Sequence, residues 1–98
     1  MVTLINKFTV HGDTAEFEKV WAASSEFMRA QQGFVNFKLH RSLNRPDSYV
    51  NIALWETVED HHRVLASPEF AVHIKELAAL ATPEPDLYVV VLEGTPAK

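Results

Sequence analysis

No cysteine occurs among the 98 residues. That excludes a disulfide framework, a thiolate metal site and a cysteine nucleophile. Glycine is scarce, three in all, and none stands in a phosphate-cradling loop. Lysine and arginine form no cluster and the formal net charge is −4, which disfavours nucleic acid as a partner. The longest purely apolar run, Leu87–Leu92 (LYVVVL), is far too short to span a bilayer. The first residues, MVTLINKF, lack the basic region and apolar core of a signal peptide. A cytoplasmic protein with no membrane partner is the expectation. No serine sits in a nucleophile-elbow context. None of His11, His40, His61, His62 and His73 joins carboxylates at a metal-ligating spacing.

The composition, 47% hydrophobic and 22% charged, is ordinary for a globular chain. The length suits one domain over residues 1–98, with 93–98 as a flexible tail. A domain this small buries only about 60–65% of its extended-chain surface and gains from pairing with a second copy.

Tyr49–Trp55, read YVNIALW, is the most informative stretch. Val50, Ile52 and Leu54 alternate with Asn51, Ala53 and Trp55, so one strand face is aliphatic and the other carries an amide, a small residue and an indole. Asn51 and Trp55 either look into a pocket beside the gap left by Ala53 or are a satisfied polar residue and a core aromatic.

Thr3–Val10 reads as a strand with Leu4, Asn6 and Phe8 on one face; Asn6 is unusual there, since asparagine is depleted in strands. Asp13 caps a helix over Thr14–Gln31, with Glu16 completing a capping box. Phe17, Val20, Trp21, Ser24, Phe27 and Met28 recur at helical spacing, as core or as the lid of an apolar pocket. Gly33 ends this helix. Phe34–Ser42 is a second strand, with Val35, Phe37 and Leu39 on its drier face. Asn, Pro and Asp in Leu43–Ser48 turn the chain into Tyr49–Trp55. Val58–Ala66 forms a short helix. Ser67 and Pro68 restart another, with Phe70, His73, Ile74 and Leu77 on one face, ending near Ala81. Thr82–Pro85 (TPEP) breaks it and Leu87–Leu92 is the last strand.

The order is strand, helix, strand, strand, helix, strand. This predicts an α+β, ferredoxin-like βαββαβ fold with a four-stranded antiparallel sheet and helices on one face. The other face presents Ile5, Val50, Ile52 and Leu54, and covering such a patch calls for a homodimer packed sheet to sheet. In this fold the first and third strands are neighbours, so Asn6, Asn51 and Trp55 share the helix-covered face. Two amides and an indole can stabilise a developing oxyanion, but they supply no electrons. His73, beside Phe70 and Leu77, reads as a haem ligand, a general base or a satisfied core residue.

The stretches VTLINKFTVHGDTAEFE, GFVNFKLHRS, SYVNIALWE and SPEFAVHIKELAALAT resemble the antibiotic-biosynthesis monooxygenase superfamily over nearly the whole chain. INKFTVHG and YVNIALW together are the most specific part, and they resemble the cofactor-independent anthrone oxygenases of aromatic polyketide pathways, of the nogalamycin type. The resemblance implies a dimeric α+β barrel and catalysis carried by Asn6, Asn51 and Trp55. Phe17, Trp21, Val64, Phe70 and His73 would wall the substrate pocket. His40 falls where the actinorhodin-pathway relative has a histidine. The implied substrate is an electron-rich polycyclic phenol that reduces O2 itself, so no cofactor or metal is expected and O2 is the co-substrate. A sister branch degrades haem with an Asn–Trp–His set. Asn6 and His73 match two of its positions, but Val64 stands in place of its tryptophan, so haem chemistry ranks second. A dimeric binding protein for an aromatic ligand, without catalysis, is the third reading.

Overall fold

The computed structural model describes residues 1–97; the part of the expected tail formed by Lys98 lies outside the described residues. Seven elements follow one another: β1 (Val2–Val10), α1 (Thr14–Arg29), β2 (Phe34–Arg41), β3 (Ser48–Trp55), α2 (Val58–Leu65), α3 (Pro68–Ala78) and β4 (Ala81–Tyr88). The strands form one sheet in the order β2-β3-β1-β4, all neighbours antiparallel. This is the expected ferredoxin-like α+β arrangement, with the second helical region split in two.

Side-chain chemistry explains the helix boundaries. Asp13 accepts the Ala15 N–H at 2.9 Å and opens α1. Thr57 accepts the Asp60 N–H at 3.0 Å and opens α2. Ser67 accepts the Glu69 N–H, and Pro68, which needs no hydrogen-bond acceptor, starts α3. α1 stops at Arg29, two residues before the expected end. The chain then turns through Gly33 at φ +84. A Cβ there would lie 2.2 Å from Cγ of Asp60, so this turn requires glycine both for its backbone and for its contact with α2.

Two expectations about strands are corrected. The last strand is not Leu87–Leu92 but Ala81–Tyr88, so TPEP lies inside it. Proline removes an N–H donor, which excludes it from a central strand but not from an edge, and β4 is an edge strand paired only to β1. The apolar Val89–Leu92 lies beyond the sheet and is exposed. In β2 a bulge between Phe34 and Asn36 shifts the register. An extra residue reverses the alternation, so Phe34 packs inward with Phe37 and Leu39, while Val35 is exposed.

The helices cover the sheet face that carries Val2, Leu4, Asn6, Phe8 and Val10 from β1 and Tyr49, Asn51, Ala53 and Trp55 from β3; all nine are buried. The apolar members separate into two clusters. Phe8, Val10, Tyr49 and Ala81 join Phe17 and Leu77 at one end. Val2, Leu4, Ala53 and Trp55 join Val64 at the other. Between them lies a polar row, because Asn6 and Asn51 are direct partners across β1 and β3. On the opposite face Ile5, Val50 and Leu54 are half-buried and Ile52 is exposed.

Candidate active site

The polar row forms part of the wall of a cavity of about 530 Å3 between the sheet and the three helices, within the ordinary size range of small-molecule sites. Much of its lining is apolar, including Leu4, Phe8, Phe34, Phe37, Ala53 and Phe70. Strand alternation places Asn51 and Trp55 on this wall from β3, with the small Ala53 between them. Asn6 enters from β1. Trp21 and Ser24 enter from α1, His61 from α2 and His73 from α3.

The hydrogen bonding of these residues is unusual. Buried side-chain polar atoms with no partner, among the described residues, are Trp21 Nε1, Ser24 Oγ, Asn51 Oδ1, Trp55 Nε1, His61 Nδ1 and His73 Nδ1. All six belong to residues that line this one cavity. A folded domain normally pairs such atoms, because leaving one buried and unsatisfied costs about 1–3 kcal/mol. Six such atoms on one apolar cavity wall can meet the polar groups of a ligand, which makes this cavity the candidate site.

Asn6 differs from Asn51. Its Oδ1 accepts the backbone N–H of Glu84 at 3.1 Å. Because an N–H can only donate, this bond settles the orientation of the amide and leaves the NH2 as the end available to a ligand. Pro83 and Pro85 flank Glu84 on β4 and have no N–H of their own, so the side chain of Asn6 also helps hold the edge strand. Asn51 has no such bond at Oδ1 and is freer to present either end of its amide.

Of the expected pocket walls, Trp21, Phe70 and His73 line the cavity with Asn6, Asn51 and Trp55. Phe17 and Val64 do not. Phe17, fully buried, packs at a tilt with ring centroids 4.9 Å from Tyr49 and 5.4 Å from Phe8, filling the far cluster. Val64 is buried in the cluster around Trp55. Both point from their helices into packed ends of the face and leave no surface for a ligand. His40 is exposed on β2 with Nδ1 3.3 Å from the Val50 carbonyl oxygen, outside the cavity.

His61, which no motif in the sequence singled out, neither faces solvent nor has a partner at Nδ1. It is buried, edge-on to Trp55 with ring centroids 5.5 Å apart. Its spacing from Val64 carries the signal: three residues is nearly one turn, so the two share a face. Burial, with a smaller contribution from His62, lowers its pKa from the ordinary 6.5. The start of α2 is anchored by Asp60, which accepts from Thr57 and Arg63. Those bonds, Arg63 first, hold the Asp60 carboxyl below its usual range. No group of three or more His, Asp or Glu side chains among the described residues is placed to hold a metal ion.

Residues 1–76 match the family of antibiotic biosynthesis monooxygenases. The chain is 46% identical over 87 residues to deoxynogalonate monooxygenase of Streptomyces nogalater, an alignment spanning 89% of this chain and 74% of that protein. The crystal structure of SnoaB, a cofactor-independent oxygenase from Streptomyces nogalater, superposes with a TM-score of 0.90 at 43% identity over 94% of both chains. A protein from Deinococcus radiodurans shares the fold with a TM-score of 0.84 over 100% of both chains, at only 17% identity.

Proposed function

The chain belongs to the antibiotic biosynthesis monooxygenase family, and we propose that it is a cofactor-independent monooxygenase that uses O2 to oxidise an anthrone-type polyketide to a quinone. The observation that carries this reading is the single cavity that gathers the unpartnered polar atoms of Asn51, Trp55, Trp21, Ser24, His61 and His73. A planar, polyhydroxylated ring system has the matching chemistry: apolar faces for Phe34, Phe37 and Phe70, and ring oxygens for the amides and indoles. The likeness to deoxynogalonate monooxygenase and SnoaB supports both the substrate class and the absence of a cofactor requirement.

The chemistry follows from the substrate. An anthrone loses a proton from the carbon between its rings, and the charge moves onto the carbonyl oxygen. The NH2 of Asn6 and the amide of Asn51 stabilise that oxygen; donors fixed in an apolar site act most strongly where charge develops. The anion passes one electron to O2, and the radical pair joins to give a hydroperoxide. Loss of water then leaves the quinone carbonyl. Trp55 orients the rings and offers its N–H to the peroxide. Purified protein, treated with a chelator and given anthrone under O2, is expected to consume oxygen and form quinone. A protein that stays inert until metal, flavin or haem is added defeats this reading.

The working unit in this proposal is a homodimer. Ile5, Val50, Ile52 and Leu54 form an apolar patch on the face the helices do not cover, and Val89–Leu92 projects beyond the sheet. The radius of gyration, 14.4 Å, exceeds the roughly 12.6 Å of a compact chain of this length, as a projecting arm produces. A second copy packed sheet to sheet buries both. Ile52→Asp places a charge on each side of that dry interface, and sedimentation should show monomer where the wild type is dimer. A monomeric, folded wild type defeats the dimer.

A further inference from the structure

His61 has no part in the reaction described so far, yet its position is chemically costly. The ring is 5% exposed, its Nδ1 has no partner, and it rests edge-on against Trp55 on the cavity wall. An apolar side chain would fill the space between α2 and Trp55 without burying an unsatisfied nitrogen. No hydrogen bond at Nδ1 locks the tautomer, so the ring can take up a proton at either nitrogen.

The remaining groups on the wall are less suited to removing a proton from carbon. Asn6, Asn51 and Trp55 do not titrate in the working range. α1, β1, β2 and β3 place no carboxylate, histidine or lysine on the wall. On α2, His62 is exposed, and Asp60 is engaged by Thr57 and Arg63. On β4, Asp86 is exposed and accepts the Leu87 N–H at 2.8 Å. On α3, His73 also has an unpartnered Nδ1, but it is only partly buried and lies tilted against Phe27, away from Trp55, with centroids 5.1 Å apart and planes at 31°.

We propose that His61 is the general base that starts the reaction, an assignment that rests on the anthrone reading above. A methylene C–H of the anthrone breaks, its proton passes to the imidazole, and its electron pair stays on the substrate as an enolate. O2 takes one electron, superoxide and the substrate radical join at that carbon, and the imidazolium returns the proton to the peroxide. The second methylene hydrogen leaves with the distal hydroxyl as water. In sum, CH2 and O2 become C=O and H2O. Burial keeps the ring neutral near pH 7, the form a base requires.

Oxygen uptake and quinone formation with anthrone decide the matter, using wild type, His61→Phe and His61→Ala, each checked for folding by circular dichroism. At pH 7 the wild type turns over and both variants lose about 10²-fold or more in kcat. The loss shrinks as the pH rises, because hydroxide in solution then deprotonates the anthrone, and added imidazole restores part of the rate to His61→Ala. Folded His61→Phe that turns over like the wild type overturns the assignment while leaving the anthrone reading intact. A loss of the same size at every pH, with no response to imidazole, makes His61 a packing residue and also overturns it. A wild type inert on anthrone under O2 defeats the anthrone reading and the base with it.

Discussion

The two ends of the helix-covered face are built from similar residues and serve opposite ends. Around Phe17, the rings of Phe8, Trp21 and Tyr49 lie 4.9–6.3 Å away, and the polar tip of Tyr49 donates to Glu18. Burial first, then the Glu18 carboxylate, raises the Tyr49 pKa, so the hydroxyl remains a donor. Around Trp55, the indole N–H, the Asn51 oxygen and the His61 nitrogen are buried and unpaired. Tyr49 finds its partner within the protein, and Trp21 turns its unpartnered N–H to the cavity; the polar atoms around Trp55 have no protein partner, and in the proposed function a ligand meets them. Stability should therefore reside in the first end and activity in the second.

The largest expected effect is on the filled end. Phe17→Ala opens a cavity in a site with no exposure and should cost about 3–5 kcal/mol, read as a fall in denaturant midpoint. If the loss were under about 1 kcal/mol, the two ends would not differ as described. At the other end, Asn51→Leu should lower kcat about 10²–10³-fold yet leave the melting temperature unchanged or raise it, because it removes an unsatisfied polar atom. A variant that is both active and less stable would show Asn51 to be structural. Trp55→Phe keeps most of the packing and loses only an N–H that has no protein partner. It should cost about 1–2 kcal/mol or less in stability while lowering turnover by a larger factor, and full activity in the folded variant would remove Trp55 from the site.

The smallest effect is a pH slope at the cavity end. The folded pKa of His61 lies below its ordinary 6.5, so the unfolded chain binds a proton more readily. Stability is then full above about 6.5 and declines as the pH falls below it, levelling off once the pH is under the folded value. Asp60 acts in a separate window: its carboxyl is held below 3.8, so its contribution is present above that pH and lost in stronger acid. Melting curves should show the decline below about 6.5 in the wild type and a weaker one in His61→Phe. An identical slope in both would assign it to another group.

The residues that alternate in YVNIALW and in Thr3–Val10 already separated the two faces of β3 and β1, because a strand has a period of two whatever surrounds it. The caps Asp13, Thr57 and Ser67 likewise act within a few residues of themselves. Those local rules made the fold class and the Asn6–Asn51–Trp55 face readable. The last strand was misplaced because apolarity normally accompanies burial, and only an edge position permits Pro83 and Pro85 while leaving Val89–Leu92 outside. The bulge at Phe34 arises from pairing with β3, which no pattern within β2 reveals.

The sequence alone determined what depends on neighbours along the chain: strand faces, helix starts, the absence of thiol or clustered metal ligands, and the presence of two amides and an indole on one face. Tertiary structure decided what depends on which surfaces meet. The pairing of β1 with β3 set Asn6 directly beside Asn51, and the bond from Glu84 distinguished their amides. The packing of α2 against β3 buried His61 beside Trp55 while its neighbour His62 stayed exposed. Whether a polar atom is satisfied or left for a ligand is a property of the groups within about 3 Å of it, and distant segments supply most of those groups.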